Sequence, residues 1–231
     1  MRNDLSGKAI LVTGGSSGLG AAVVTALTKA GGRPYVLDRQ QPAAGVPWLE
    51  CDLADTRAAE AATRRLAEQA GGLDGVVTAA GTDTPGRLAD VPAEVWERVV
   101  TIDLLATAAV IRAALPYLER SAGTVVTVAS TLGIKAVSDA TAYCAAKFGV
   151  VGFTRALAAE LAGAVGVTLL IPGGMRTAFF AGRDPQYQPG ADAVLNDPAD
   201  VADTVLFALA QPAGCAVREL VVCADLESSY P

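Results

Sequence analysis

The chain has 231 residues, of which 52% are hydrophobic and 18% charged, with a formal net charge of −6 and no histidine. The acidic balance and the lack of a Lys/Arg cluster argue against a nucleic-acid partner, and the lack of histidine excludes His-based catalysis and the usual zinc sites. No membrane association is expected, since no apolar run reaches the ~18 residues of a span. The polar segment from Met1 to Lys8 and four scattered cysteines favour a cytoplasmic protein.

The first predicted strand, Ala9–Thr13, leads into a glycine-rich turn and then a helix over Ala21–Ala30. Glycines at such a place let the backbone approach a phosphate, and the free N–H groups of the helix favour an anion. A strand, a glycine turn and a helix in this order predict a dinucleotide site. The candidate contacts are Thr13, Gly14, Ser16, Ser17, Gly18, Leu19 and Gly20.

The second predicted strand, Pro34–Leu37, ends at Asp38, twenty residues beyond Gly18. An acidic residue at this distance is typical of a contact with the ribose 2′-hydroxyl, and its charge repels a 2′-phosphate. The sequence therefore favours NAD(H) as cofactor. Arg39 leaves NADP(H) open, because a guanidinium can pair with that phosphate. A plain turn residue is the alternative interpretation of Asp38.

The third predicted strand, Trp48–Cys51, is followed by Asp52 and Leu53, which we expect near the adenine of the cofactor. Asp55 is predicted to cap a helix over Thr56–Ala70. A fourth strand, Leu73–Ala79, leads to Ala80 and Gly81, where a glycine lets a ring pack on the backbone. Helices over Pro92–Asp103 and Leu104–Arg120, and a fifth strand over Gly123–Ala129, come next.

Ser130, Tyr143 and Lys147 are the candidate catalytic residues. Tyr143 and Lys147 are four residues apart in a predicted helix that runs on through Leu161, so their side chains share one face. A lysine cation beside a phenol is expected to lower the pKa of the tyrosine, which then serves as acid and base. Ser130 follows a buried strand and is placed to hydrogen-bond the same substrate oxygen. Taken alone, the Tyr/Lys spacing also occurs by chance on solvated helices.

The sixth predicted strand, Val167–Ile171, precedes Pro172, Gly173 and Thr177, and an aromatic loop at about 178–196 is predicted to form a substrate lid. Asp197 and Pro198 begin a helix through Leu209, and Leu220–Cys223 is the last strand. The alternation of strands and helices predicts an α/β fold: one Rossmann-type, doubly wound parallel sheet of about seven strands with helices on both faces. Residues 1–231 are expected to form a single domain.

These motifs together resemble the short-chain dehydrogenase/reductase family over nearly the whole chain. The matching elements are the glycine turn after Thr13, Asp52, Ala80-Gly81, Ser130, the Tyr143/Lys147 pair, and Pro172-Gly173 with Thr177. The resemblance implies an NAD(P)-dependent oxidoreductase that interconverts an alcohol and a carbonyl. It assigns Tyr143 as acid/base, Ser130 as the residue that orients the substrate oxygen, Lys147 to the nicotinamide ribose, and Thr177 to the carboxamide.

Two positions depart from the family pattern. Ala79 stands where the family usually has asparagine before Ala-Gly, and Asp103 stands at the usual helix asparagine of a proton relay. By the resemblance, Asp103 is a fourth candidate catalytic residue and Ala79 a candidate cofactor contact. An anion at Asp103 is expected either to pair with Lys147 or to mimic only the shape of the amide. These departures motivate a second hypothesis, an NAD(H)-binding sensor or scaffold without turnover. The apolar surface of the helices around Arg112 and Tyr143–Leu161 predicts a homodimer or homotetramer.

Overall fold

Seven parallel strands form one sheet in the computed structural model, which describes residues 5–227 and 229–230. Their order across the described part of the sheet is β3-β2-β1-β4-β5-β6-β7. This confirms the predicted doubly wound fold. The strands are β1 Ala9–Thr13, β2 Arg33–Asp38, β3 Trp48–Glu50, β4 Gly75–Thr78, β5 Thr124–Val128, β6 Gly166–Pro172 and β7 Glu219–Val222.

The strand order reverses at β1, which pairs with β2 on one side and with β4 on the other. The crevice at such a reversal, outside the carboxyl ends of the strands, is where open α/β sheets bind ligands. Both β1 and β4 are buried along their whole length, as expected of strands covered on two faces. Their continuous apolar runs are what made them predictable from sequence.

Six α-helices cover the described sheet in two layers. They are α1 Gly18–Lys29, α2 Thr56–Ala70, α3 Ala93–Val100, α4 Ala106–Ser121, α5 Thr141–Glu160 and α6 Pro198–Leu209. Helices α1 and α6 pack in one apolar cluster with the side chains of one sheet face, such as Ile10 and Val126. Helices α2, α4 and α5 pack in a second cluster with the opposite face, which includes Leu11 and Val125.

Two helices begin at a side-chain cap, and a third begins within the glycine turn. Asp55 caps α2 as predicted, since its carboxylate accepts from the N–H groups of Arg57 and Ala58 at 3.1 and 2.9 Å. Asp197 caps α6 in the same way, ahead of Pro198. Helix α1 begins at Gly18, three residues before the predicted start, so the glycine turn itself forms the first helical turn.

A π-helical segment, Thr101–Leu105, joins α3 to α4 and carries Asp103. Sequence reasoning predicted two consecutive helices that meet here, but not the extra residue of the π turn, which is a feature often found at functional sites. The resulting helical run, Ala93–Ser121, is long and apolar enough to cross a membrane by length and composition. Half of its most apolar stretch is buried in the fold, as in the core helix of a globular domain, so its length and composition do not indicate a membrane span.

Candidate active site

A cavity of about 690 Å³ opens at the carboxyl ends of the strands, beside the reversal of strand order. It brings together most residues predicted from sequence: Gly14, Ser17, Gly18, Leu19, Asp38, Arg39, Asp52, Leu53, Ala79, Ala80, Gly81, Ser130, Tyr143, Lys147, Pro172, Gly173 and Thr177 line its wall. Four predicted residues are not among its lining, namely Thr13, Ser16, Gly20 and Asp103.

The glycine turn forms one end of the cavity with bare backbone. Gly14 and Gly18 have φ angles of 69° and 51°, in the left-handed region that favours glycine. A Cβ at Gly20 would lie 2.1 Å from the carbonyl oxygen of Gly14. The first N–H groups of α1 have no intrahelical partner, as in any helix. This unencumbered turn at a helix N-terminus fits the phosphates of a dinucleotide.

Thr13 and Ser16 brace the turn rather than line the cavity. The Thr13 hydroxyl accepts from the Ala80 N–H at 3.2 Å, which ties the end of β1 to the chain after β4. The Ser16 N–H donates to Asp38 at 2.9 Å. Thr13 and Ser16 thus hold the two strand ends between which the cavity lies, and their contact with the cofactor stays a prediction.

Asp38 stands where β2 ends, with its carboxylate in the cavity wall. Its two oxygens accept one backbone N–H each, from Ser16 at 2.9 Å and from Gln40 at 3.0 Å. A carboxylate oxygen has two lone pairs, so each retains acceptor capacity for a ribose hydroxyl. Arg39, next to it, is exposed and also borders the cavity.

Asp52 lines the cavity, and its carboxylate forms an ion pair with Arg98. Arg98 of α3 reaches both of its oxygens at 3.0 Å. The Ala54 N–H and the Arg98 guanidinium lower the pKa of this carboxyl, so it stays ionised. This ion pair fixes α3 beside the cavity, and the expected contact of Asp52 with adenine stays a prediction.

The three candidate catalytic residues meet at the other end of the cavity. Ser130 follows β5, and its hydroxyl accepts from the Leu132 N–H at 3.1 Å. Tyr143 lies in the first turn of α5, and the Lys147 ammonium is 5.4 Å from the centre of its ring. Lys147 also donates to the Val128 carbonyl at 3.1 Å, which anchors the buried cation to the end of β5.

The pKa of Tyr143 moves in the direction opposite to the one expected from sequence. Burial raises the pKa of the phenol, the Asp103 carboxylate raises it further, and hydrogen bonding with the Ser130 side chain opposes the rise. Sequence spacing shows that a lysine lies one turn away, which lowers the pKa, but it does not show the loss of water around the hydroxyl, which raises it. In this state Tyr143 keeps its proton and is a proton donor.

Asp103 is buried behind the cavity wall, in the π-helical segment. One oxygen accepts from the Thr82 N–H at 2.9 Å and lies 3.9 Å from the Lys147 ammonium, while the other has no hydrogen-bond partner. Burial raises the pKa of Asp103 to about 6, although Lys147 opposes the shift. Asp103 therefore pairs with Lys147, which was one of the two expected outcomes. A Cβ at Gly81 would lie 2.8 Å from its carboxylate.

The lid segment (residues 178–196) folds over the catalytic residues. It contains two short 3₁₀ turns, Ala178–Phe180 and Pro185–Tyr187. Thr177 begins the first turn, since its hydroxyl accepts from the Phe179 N–H at 3.3 Å. The Phe179 ring packs 5.7 Å from the ring of Tyr143. An aromatic side chain of this segment is thus in direct contact with the phenol, whether it covers a substrate or only packs the loop down.

Sequence reasoning missed three charged residues of the wall, namely Asp83, Arg183 and Glu227. Glu227 closes the wall near Pro172, because its carboxylate accepts from the Gly174 N–H at 2.8 Å. Asp83 and Arg183 form a buried ion pair across the lid segment. None of the three belongs to a spacing pattern that sequence reasoning recognises. The single arginine among the aromatic residues of the lid segment, Arg183, was the only signal in the sequence.

The chain also matches a known protein family. The family model for short chain dehydrogenases matches residues 8–188. The chain belongs to the short-chain dehydrogenase family. Among relatives of this short-chain dehydrogenase, uncharacterized oxidoreductase MW2403 of Staphylococcus aureus strain MW2 is 30% identical over 230 residues, covering 94% of this chain and 97% of that protein.

Solved structures of similar fold are dehydrogenases as well. The aldohexose dehydrogenase of Thermoplasma acidophilum superposes with a TM-score of 0.85 at 23% identity, over 96% of this chain and 94% of that one. The alcohol dehydrogenase of Thermococcus sibiricus, solved with 5-hydroxy-NADP, gives 0.83 at 22% identity, over 93% and 95%. This short-chain dehydrogenase is therefore an oxidoreductase of Rossmann fold, and family membership implies a nicotinamide cofactor.

Proposed function

We propose that the protein interconverts an alcohol and a carbonyl with NAD(H), and that Tyr143 is its acid/base. The observation that carries this proposal is the meeting of Ser130, Tyr143 and Lys147 at one end of a cavity whose other end is a bare glycine turn. A dinucleotide in such a crevice has its phosphates at the glycine turn, which leaves its reactive ring for the end of the cavity that holds the phenol.

The nicotinamide cofactor, when bound, supplies or accepts the hydride. The backbone of Gly14–Gly20 would hold its phosphates, and Asp38 the ribose of its adenosine half. Lys147, Pro172, Gly173 and Thr177 border the opposite end, where the nicotinamide half would bind. The N-terminus of α1 carries a partial positive charge and favours anionic phosphates, which supports this placement of the cofactor.

In the reductive direction Tyr143 gives its proton to the oxygen of the carbonyl, and Ser130 donates a hydrogen bond to the same oxygen. The raised pKa of Tyr143 supports the role of donor, since the phenol holds its proton in the absence of a ligand. For the reverse reaction the phenol must lose that proton. The buried Lys147 cation stabilises the phenolate, whereas an ionised Asp103 works against it.

NAD(H) is preferred over NADP(H) in this proposal because of Asp38. Its negative charge at the end of β2 would repel a 2′-phosphate, while its remaining lone pairs accept from a 2′-hydroxyl. Fluorescence titration of NADH and NADPH tests this preference. Tighter binding of NADPH would contradict it and would indicate that Arg39 pairs with the phosphate.

The decisive experiment on the reaction is Tyr143→Phe, assayed by cofactor absorbance with a panel of alcohols and ketones. The variant keeps the packing against Phe179 and deletes only the hydroxyl. Turnover is expected to fall by about 10²–10⁴ while NADH binding persists. Full activity in Tyr143→Phe would refute the role of the phenol. The comparisons give no support to the alternative of a sensor without turnover, and the grouping of Ser130, Tyr143 and Lys147 counts against it.

The protein is also proposed to act in the cytoplasm as a homodimer or homotetramer. Leu105 in the π-helical segment and Phe148 on α5 expose 50% and 44% of their surface. Large apolar side chains on neighbouring helices favour association with a second copy. No nucleic-acid or membrane partner is proposed.

A further inference from the structure

A buried ion pair joins the lid segment to the loop that follows β4. The Arg183 guanidinium, in the lid segment, lies 3.3 Å from a carboxylate oxygen of Asp83, and the two side chains expose only 11% and 5% of their surface. Burial of an ion pair costs stability unless the remaining hydrogen-bonding capacity is satisfied. Whether this pair stabilises the fold therefore depends on the hydrogen bonds that its polar atoms make.

The Thr84 N–H donates a hydrogen bond to the Asp83 carboxylate, but three polar atoms of the pair have no hydrogen-bond partner in the part of the chain that the structure describes. Nε and Nη2 of Arg183 and Oδ1 of Asp83 are shielded from solvent and have no hydrogen-bond partner among the described residues. The charges are thus paired without a directed hydrogen bond between them. Two donors and one acceptor lie unused beside each other, and buried polar groups in this state are rare in folded proteins.

The pair stands next to the reacting atoms. Arg183 packs over the rings of Phe179 and Phe180, 4.6 and 4.9 Å from their centres, and Phe179 is itself in contact with Tyr143. Both Asp83 and Arg183 belong to the wall of the active-site cavity. The charges of Asp83 and Arg183 also act on the Tyr143 phenol, so a group bound between them lies in the same cavity as the acid/base.

The chemistry of the unused atoms selects one class of ligand. A hydroxyl group donates to Asp83 and accepts from Arg183 at once, whereas an alkyl group satisfies neither and a carboxylate can only accept. An anion would also meet a net negative charge, because three carboxylates (Asp83, Asp103 and Glu227) lie in or behind this cavity wall with only two cations at the same end (Lys147 and Arg183). A neutral hydroxyl fits both observations.

We propose that Asp83 and Arg183 select neutral substrates with a second hydroxyl near the reacting carbon, such as vicinal diols and α-hydroxy ketones. This inference rests on the proposed function and narrows its substrate class. The pair lies beneath the lid segment, so the second hydroxyl reaches it only when that segment admits the substrate. Loss of a hydrogen bond to a charged group corresponds to about a 10- to 150-fold change in binding.

The test measures binding without turnover, in cofactor-saturated Tyr143→Phe protein, by NMR titration of three four-carbon probes. They are butane-2,3-diol, butan-2-ol and the anion 3-hydroxybutanoate. We expect the diol to bind at least about tenfold more tightly than either other probe. Asp83→Ala should bring the dissociation constants of the diol and of butan-2-ol to within about twofold, because the acceptor for the second hydroxyl is gone.

Two further variants keep the outcome interpretable. Asp83→Ala/Arg183→Met removes both charges, so it folds without an unpaired buried cation and should also lose the preference. Tyr187→Phe removes a different lid contact, the 3.3 Å hydrogen bond to Asp139, and should leave the ratio of affinities unchanged. This control separates recognition by the pair from a general loosening of the lid segment.

Equal binding of diol and butan-2-ol, tightest binding of 3-hydroxybutanoate, or a diol preference that survives Asp83→Ala would each overturn the inference. The assay needs no catalysis, so its result stands whatever the activity panel gives. Turnover of simple alcohols without any diol preference would leave the proposed function intact and remove only this specificity.

Discussion

Replacement of Asp103 by asparagine should stabilise the protein, by an amount that depends on pH. Asparagine has nearly the shape of a protonated aspartic acid and keeps an oxygen for the Thr82 N–H. The wild-type carboxylate must instead ionise in a site that exposes only 1% of the residue. Ionisation is therefore unfavourable in the folded state, and the variant avoids it.

The sign follows from the pKa of Asp103, which burial raises from 3.8 to about 6. Between these values the folded state binds more protons than the unfolded state, so the stability of the wild type falls as pH rises through this window. The shift of 6 − 3.8 corresponds to about 3 kcal/mol at 1.36 kcal/mol per pKa unit, and it already includes the attraction of Lys147.

Thermal unfolding from pH 4 to pH 8, without cofactor, checks this prediction. The two proteins should melt together near pH 4, and the Asn variant should melt about 6–12 °C higher above pH 6. Asp203→Asn, on the exposed side of α6, controls for the loss of one negative charge. A difference in melting temperature that does not vary with pH would refute the reasoning. Destabilisation that grows with pH would mean that the pair with Lys147 outweighs burial.

Three further predictions concern the turn, the cofactor and the assembly. Gly20→Ala should lower the free energy of unfolding in urea by about 1–3 kcal/mol, because its Cβ would clash with a backbone oxygen. Gly152→Ala is the control and should not lower it, since a Cβ there meets nothing within 4 Å. Asp38→Ala should narrow the ratio of NADH to NADPH affinity, and an unchanged ratio would exclude the ribose role. Phe148→Glu should lower the sedimentation mass toward one chain; a wild-type mass of 23.4 kDa would itself exclude an oligomer.

The strands and the order of the motifs could be predicted from sequence because the signals are local. A buried parallel strand such as β1 is a continuous apolar run, and the glycine turn follows it directly. Helix caps such as Asp55 depend on two or three neighbours. The π turn at Asp103 was not predictable in this way, because it adds one residue to a turn without changing the apolar pattern.

Electrostatics within the site was the part that sequence reasoning got wrong or missed. Spacing places Lys147 near Tyr143, but the pKa of the phenol depends on how much water the lid segment removes. Asp52 and Arg98 become partners only when α3 packs beside the end of β3. The Asp83–Arg183 pair likewise depends on how a distant lid folds back. Each case is a contact between segments far apart in sequence.

Unsatisfied polar atoms locate the site independently of any motif. Among the described residues, side-chain atoms that are buried without a hydrogen-bond partner belong to Asp83, Asp103, Arg183 and Thr78. The first two carry charges that affect Tyr143, and Arg183 lies over the ring that covers it. Asp83 and Arg183 line the cavity and Asp103 lies behind its wall; each such atom costs about 1–3 kcal/mol, so this grouping is not expected of a region selected for stability alone. A ligand that supplies the missing partners regains that free energy on binding, which is what a substrate site requires.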